Sequence, residues 1–403
     1  NNSIIQTMDH AFILTGVDTT PYSNLYAKNQ SRDRANIPVD NVLGHFYNFS
    51  YANIFTWEKR HLADKHKKKF VCYFIQMPIP TTFNFGQDVV DSINHDPNTY
   101  LLLFSMLEGV VDPVDLNIKL ARKGINASKC IVLCSNKLVD RTRQYGVLYL
   151  YVDFWESHTR YHQQVIANSS EMTIRDRKKS LHTANKKFLC LNRNIKNHRI
   201  WFYYLMHTKD IIDQGHVSYH LPRLTTTLEY RSCANEYNTT KYIPQHLEKD
   251  YKLAIRRINA RHLDRIDREI VINYNSTILP YYKDSLCSII TESDFRIPFL
   301  TEKTYKAIVH CHPFFIIGNP DHHKLLREKG YYTFEDFFET EQVTNWQEAE
   351  MFLDKLCNTD IADIKAKVRN IMPKLRHNYN NFFQRKTDWN DIQKLLDKVT
   401  DER

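Results

Sequence analysis

Glycine is scarce in this sequence, with 9 residues among 403. Neither G-x-G-x-x-G nor G-x-x-x-x-G-K-[ST] occurs, which excludes the dinucleotide fingerprint and the P-loop; both need glycine so that backbone N–H groups can approach a phosphate. No C-x-x-C occurs among the 8 cysteines, and no Cys/His pair has zinc-site spacing. Cys72, Cys130, Cys134, Cys190 and Cys287 stand instead in apolar runs that read as strands, the pattern of buried free thiols in a reducing compartment. The tract His310-Cys311-His312 falls across an expected helix-to-strand junction, where packing is the expected role. D-x-D, a common carrier of a divalent cation, is also missing, so no metal and no cofactor are expected. No run approaches the ~18 uninterrupted apolar residues of a membrane span. The opening NNSIIQTMDH has no basic start followed by an apolar core. The expectation is a cytoplasmic protein without a membrane span.

What the chain does have is charge and alternation. The formal net charge is +9, which favours a polyanionic partner such as a nucleotide or nucleic acid. Part of it is clustered at 59–70 and 175–187, and such runs usually read as solvated faces or linkers. A length of 403 residues exceeds what one hydrophobic core usually supports. Strands are expected at 10–16, 69–77, 99–107, 129–136 and 147–155, and helices at 85–94, 112–124 and 137–146. The helix at 112–124 carries an aspartate cap, a proline at its first position and a glycine stop. Residues 156–186 read as a polar connection containing some helix. The alternation then restarts, with strands at 187–192, 216–220, 285–293 and 313–318 and helices at 196–207, 247–263, 302–311 and 321–330. Residues 224–245 form a polar insertion, and the chain beyond 343 is mostly helical. Near-continuous apolar strands alternating with helices imply a parallel sheet covered on both faces. The expected fold class is therefore α/β: two Rossmann-like lobes, 1–160 and 161–375, with a deep cleft between them and a helical tail at 376–403 packing back on the first lobe.

The most informative stretch is SIITESDFRIPFLTEKTYKAIVHCHPFFIIGNP, residues 288–320. A strand ends at Glu292, a loop follows, Thr301 caps a helix, and Glu302 and Lys303 occupy its first turn. A helix N-terminus offers free N–H groups and partial positive charge, which suit a phosphate. Lys303 adds a formal charge there, and Lys306 lies a turn further along the same face. A glutamate at a strand's carboxyl end can accept ribose hydroxyls. The competing interpretation is an ordinary strand–loop–helix with a stabilising cap. A second element, FLCLNRNIKNHRIWFYYLMH at 188–207, places Arg193 after a strand and Arg199 in the following helix. Either arginine suits a diphosphate, and a surface position on an amphipathic helix is equally compatible with the spacing.

These stretches resemble a family pattern. TES followed by FLTEKTYKAIVHCHPFFIIG is similar to the donor-binding motif of alpha-fucosyltransferases. It resembles more closely the GT-B glycosyltransferase-like proteins of large bacteriophages and giant viruses, in the order Leu300 to Lys306, His312 to Gly318, and Leu326 to Phe334. CLNRNIKNHR resembles their upstream Asn/Arg segment, and the likeness covers roughly 187–340. It implies a GT-B fold with an acceptor lobe first and a nucleotide-sugar lobe second. It also implies that Glu292 holds the ribose of a UDP- or GDP-linked sugar, while Lys303 with Arg199, or else Arg193, holds the diphosphate. The TES triplet departs from the fucosyltransferases, which carry an aromatic before the acid, so fucose is not implied.

Transfer with inversion needs a base to take the acceptor's proton. Glu108, after the apolar strand at 99–107, is the first candidate and Asp153 the second; His10 and Asp18 stay open. The likeness to viral proteins makes a hydroxymethylated base in DNA the expected acceptor, in a host cytoplasm, with the run 59–70 on backbone phosphates. A glycan, a protein or a small molecule is the alternative acceptor. A non-catalytic nucleic-acid-binding protein is the rival from another class, and a degenerate transferase fold that binds sugar without turnover is a third.

Overall fold

The computed structural model of the chain describes residues 10–14, 54–56, 60–61, 63–64, 66–74, 83, 86–105, 112–161, 173–192, 197–219, 244–247, 249–250, 265–266, 269–270, 279–293, 297–385, 396–398 and 400. The chain divides into two compact units, Asn1–Tyr161 with Lys386–Arg403, and His162–Arg385. Each is built from parallel strands and helices, an α/β architecture.

The first unit holds β1 (His10–Leu14), β2 (Ile54–Thr56), β3 (Lys68–Phe74), β4 (Thr99–Ser105), β5 (Cys130–Cys134), β6 (Thr142–Gln144) and β7 (Val147–Tyr151). They lie in the order β2-β1-β3-β4-β5-β7-β6, and every pairing is parallel except β6 with β7. Leu101 and Leu103 of β4 pack with Val132 of β5 and with α1 (Gln87–His95) and α2 (Pro113–Lys123), which contribute Val89, Val90, Ile93, Leu116 and Leu120. Leu102 and Phe104, pointing to the other face, are just as buried, so both faces of the sheet are covered. Each such leucine stabilises the unit by roughly 1.5–3 kcal/mol. The ends of α2 follow its sequence. Asp112 accepts from Val114 N at 2.9 Å, Pro113 opens the helix, and Gly124 closes it at φ 75°, a left-handed conformation that costs glycine little. Lys68 Nζ donates to the Asp397 carbonyl at 3.3 Å, tying the chain's last segment to β3.

Residues 137–146 correct one expectation. In place of a helix there is a short 3₁₀ turn at Lys137–Val139, then β6 running antiparallel to β7. Tyr145 and Gly146 link the two strands at φ 50° and 87°. Two positive-φ residues between paired Gln144 and Val147 make a type I′ hairpin turn. The strand expected to run to 155 stops at Tyr151, because α3 (Phe154–Tyr161) begins there.

The second unit begins, among the described residues, with α4 (Ile174–Thr183), opened by a capping box of Thr173 and Asp176. It continues through β8 (Lys186–Asn192), α5 (Asn197–Thr208), β9 (Gly215–Tyr219), the short antiparallel pair β10 (Arg265–Ile266) and β11 (Glu269–Ile270), α6 (Leu279–Asp284), β12 (Ser285–Thr291), α7 (Glu302–Val309), β13 (Phe314–Ile317), α8 (Asp321–Glu328), α9 (Glu335–Phe338), α10 (Trp346–Asn358), α11 (Ile361–Asn370) and α12 (Met372–Gln384). The main sheet is wholly parallel, in the order β13-β12-β8-β9. Trp201 of α5 packs on Trp346 of α10 at 6.1 Å between ring centroids, and Phe315 of β13 stacks on Phe352 of α10 at 4.8 Å. Most of the expected insertion 224–245 and helix 247–263 lies outside the described residues.

The stretch 175–187, read as a solvated face or linker, contains a fully buried charge of this unit. Arg177 on α4 is 0% exposed. Its guanidinium donates to the carbonyls of Tyr282 at 3.3 Å, Ser285 at 2.8 Å and Leu286. These carbonyls cluster at the C-terminal end of α6 and the start of β12, where helix-end oxygens carry partial negative charge. His312 lies against the same group, 0% exposed. Its Nε2 is 2.7 Å from the Tyr282 carbonyl, which places the proton on that nitrogen, and Nδ1 then accepts from Ser288 Oγ at 2.9 Å. With both ring nitrogens engaged, His312 serves packing.

Candidate functional site

The order β13-β12-β8-β9 reverses direction at one place. From β8 the chain moves outward through α5 to β9; from β12 it moves the other way through α7 to β13. In open α/β sheets a ligand crevice forms outside the carboxyl ends of the two strands at such a switch point. Here those ends are Asn192 on β8 and Thr291 on β12, with Glu292 the next residue. The Thr291 hydroxyl donates to the Asn192 side-chain oxygen, which ties the two strand ends together.

Six of the residues singled out in the sequence meet here. Arg199, in the first turn of α5, is 2% exposed, and its Nε and Nη2 donate to the Thr291 carbonyl at 3.2 and 3.1 Å. Glu292 is 0% exposed, and its carboxylate sits at the start of α7. It accepts from Thr301 N at 3.0 Å, Thr301 Oγ1 at 2.6 Å and Thr304 Oγ1 at 2.5 Å. A carboxylate in the field of a helix N-terminus is favourably placed. Both its oxygens are engaged by α7, so a ribose reaching Glu292 would have to displace these bonds.

The cations sit in the first turns of the same helix. Lys303 Nζ donates to Thr301 Oγ1 at 3.2 Å and lies 3.5 Å from Glu302; its side chain is 19% exposed. Burial pushes the Glu302 carboxyl up, but Lys303, Lys306, its own backbone N–H and Arg199 together hold it below the usual carboxylate range. The arrangement is thus three cations around an ionised Glu302 and a buried Glu292, at the mouth of a helix N-terminus. Chemically it can hold an anionic group and stabilise negative charge that develops there.

His198 and Thr304 belong to the constellation and were missed. His198 is 6% exposed, with Nε2 2.5 Å from the Glu292 carbonyl, so that nitrogen carries the proton. Thr304, the second threonine of T-E-K-T, could have been found as the polar residue at the third helical position, where a side chain turns back on the helix start.

The remaining candidates are placed differently. Asp153, in the first unit, is 8% exposed, and its carboxylate caps α3, accepting from Glu156 N at 3.0 Å and from the Tyr151 hydroxyl at 3.3 Å. Glu108, Arg193 and Asp18 lie outside the described residues. His10 opens β1. No family model, curated protein or solved structure matches this chain, so what the crevice can do is read from its own residues.

Proposed function

We propose that the chain is a GT-B type glycosyltransferase that moves a sugar from a nucleotide-sugar donor to an acceptor hydroxyl, without a metal and with inversion. The observation that carries the reading is the gathering of Arg199, Lys303 and Lys306 with the Thr301-capped start of α7 at the β8/β12 switch point. A nucleoside diphosphate leaving group needs its developing charge met. In a sequence without D-x-D, fixed cations and a helix terminus supply that field. Lys303 is the cation assigned to the diphosphate, with Arg199 acting from behind as a buried charge. Glu292 and Thr304 are assigned to holding the start of α7 in place. For the base that takes the acceptor's proton, Glu108 stands ahead of Asp153, whose carboxylate already caps α3. A hydroxymethylated base in viral DNA remains the acceptor proposed.

A thermal-shift titration with UDP, GDP, ADP and CMP, in EDTA, tests the donor site. One nucleotide at about 100 times its dissociation constant should add about 2.7 kcal/mol of stability. Lys303→Ala should abolish that shift; because Lys303 also neighbours Thr301 and Glu302, its unliganded melting temperature is measured alongside, and Lys303→Arg should keep part of the nucleotide shift. Glu108→Gln should keep the shift and lose transfer to hydroxymethylated DNA. No shift with any nucleotide would overturn the proposal.

A further inference from the structure

Outside the crevice set, the second unit has a depression of about 510 Å³ between α4 and the corner where α11 meets α12. Its rim carries Lys178 and His182 from α4, Arg369 from α11 and Arg376 from α12. Its floor includes Leu181 and Met372, both buried, and no carboxylate lines it. The four basic side chains are exposed, and none makes a hydrogen bond or ion pair with another described residue. Their neighbours on the same helices differ. Lys367 pairs with Glu339 at 2.6 Å, Lys374 with Asp336 at 3.9 Å, and Lys179 stands by Asp176. Uncompensated positive charge is thus concentrated around this concavity. Gathering like charges costs self-repulsion that an anion would relieve.

We propose that this depression contacts the phosphodiester backbone of a nucleic acid. Three helices present more cationic groups than one phosphate requires, and two of them are arginines, whose forked donors match phosphate oxygens. The chain's net charge of +9 fits a polyanion better than a single small anion. No Phe, Tyr or Trp lines the depression, so bases lack a broad stacking platform there. The contact is therefore to backbone, and it is independent of nucleotide sequence. This inference uses none of the crevice residues and stands or falls apart from the transferase reading.

The test is fluorescence anisotropy of a labelled DNA duplex titrated with the full chain across roughly 50–200 mM salt, the range over which counterion release dominates. Each phosphate contact contributes about 0.9 to the slope of log affinity against log salt. The triple variant Lys178→Ala/Arg369→Ala/Arg376→Ala should bind at least about tenfold more weakly near 0.1 M salt and lose about 2–3 from that slope. Arg369→Lys alone should keep the slope, while Arg369→Gln should lose about one contact's worth; this pair decides the matter if the triple variant folds poorly. Four results would overturn the proposal: no DNA binding by the wild type; the same slope in the triple variant; displacement of DNA by millimolar pyrophosphate but not by sulfate of equal ionic strength, which marks a small-phosphate site; or tighter, equally variant-sensitive binding of polyglutamate, which marks an acidic protein partner. Loss of DNA binding with an intact nucleotide shift would leave the Lys303 assignment untouched.

Discussion

Arg177 carries the largest single-residue consequence in the second unit. Burial lowers its pKa to about 10, so it stays charged at neutral pH, and among the described residues it has backbone carbonyls rather than a carboxylate for company. A buried cation held by oriented dipoles is stable only while every dipole is in place. Arg177→Leu should destabilise the chain by at least about 3 kcal/mol, because it strands buried acceptors as well as removing charge-assisted bonds. Arg177→Lys should recover only part of that, since an ammonium lacks the fork. Urea unfolding measures both, and a loss under about 1 kcal/mol for the leucine variant would refute the role. Composition could not separate Arg177 from the exposed Arg175 beside it. Periodicity could have, because Ile174, Arg177 and Leu181 share one helical stripe whose last member is core. At the crevice, Glu292, Thr301, Glu302 and Lys303 were legible because T-E-K after an apolar strand is a helix start. That the Glu292 carboxylate turns inward to Thr301 and Thr304 was not legible, since a strand-end acid reads the same whether it faces a ligand or a cap.

At the scale of elements, the β6–β7 hairpin shows where local pattern misleads. KLVDRTRQ has enough helix formers to suggest a helix, yet the segment pairs along the sheet's edge, where Thr142, Arg143 and Gln144 make a short, charged strand of the kind that discourages further pairing. The overlooked signal was Tyr145-Gly146 directly before an apolar strand. Tyr145 holds φ 50° while 59% exposed, so Tyr145→Asn should stabilise by roughly 0.5–1 kcal/mol, because asparagine tolerates that conformation better. Gly146→Ala should destabilise by more than about 1 kcal/mol: its φ is 87°, and a Cβ there would lie 3.3 Å from the Ala127 methyl. Thermal melts of the two variants should move in opposite directions; shifts of the same sign would mean that the turn does not control the hairpin. By contrast α2 was readable end to end, because Asp112, Pro113 and Gly124 each act locally on the backbone.

For the molecule as a whole, acid should act well above the carboxylate range. Burial, then Lys306 and Lys283, lowers His310 to about 3. Burial and the Arg177 guanidinium hold His312 well below its ordinary value, and burial lowers His322 despite Glu292 nearby. His310 and His312 are held neutral when folded and His322 takes a proton less readily than usual, whereas in the unfolded chain all three titrate near 6.5. Their contribution is complete above about pH 6.5 and is lost as pH falls toward 3, because the unfolded chain binds the extra protons. Unfolding near pH 5.5 should take up roughly two more protons than unfolding near pH 7.5, measured by calorimetry in buffers of different ionisation heat; equal uptake would refute this. The α/β class was legible at this scale because parallel strands buried on both faces leave unbroken apolar runs. The reversal between β8 and β12 was not, since strand order depends on pairings between segments far apart in the chain. The same remoteness gives Arg177 a further meaning. It joins α4 to residues 105 to 109 positions later, so the ground on which the sheet rests is laid by a helix that precedes every strand in it. A fragment trimmed to start at β8 would keep all four strands and the whole crevice set, yet would lose the keystone that holds α6 against β12. In any dissection of this chain, the second unit has to keep α4 with its cap Thr173 and cannot be cut back to the first residue of its sheet.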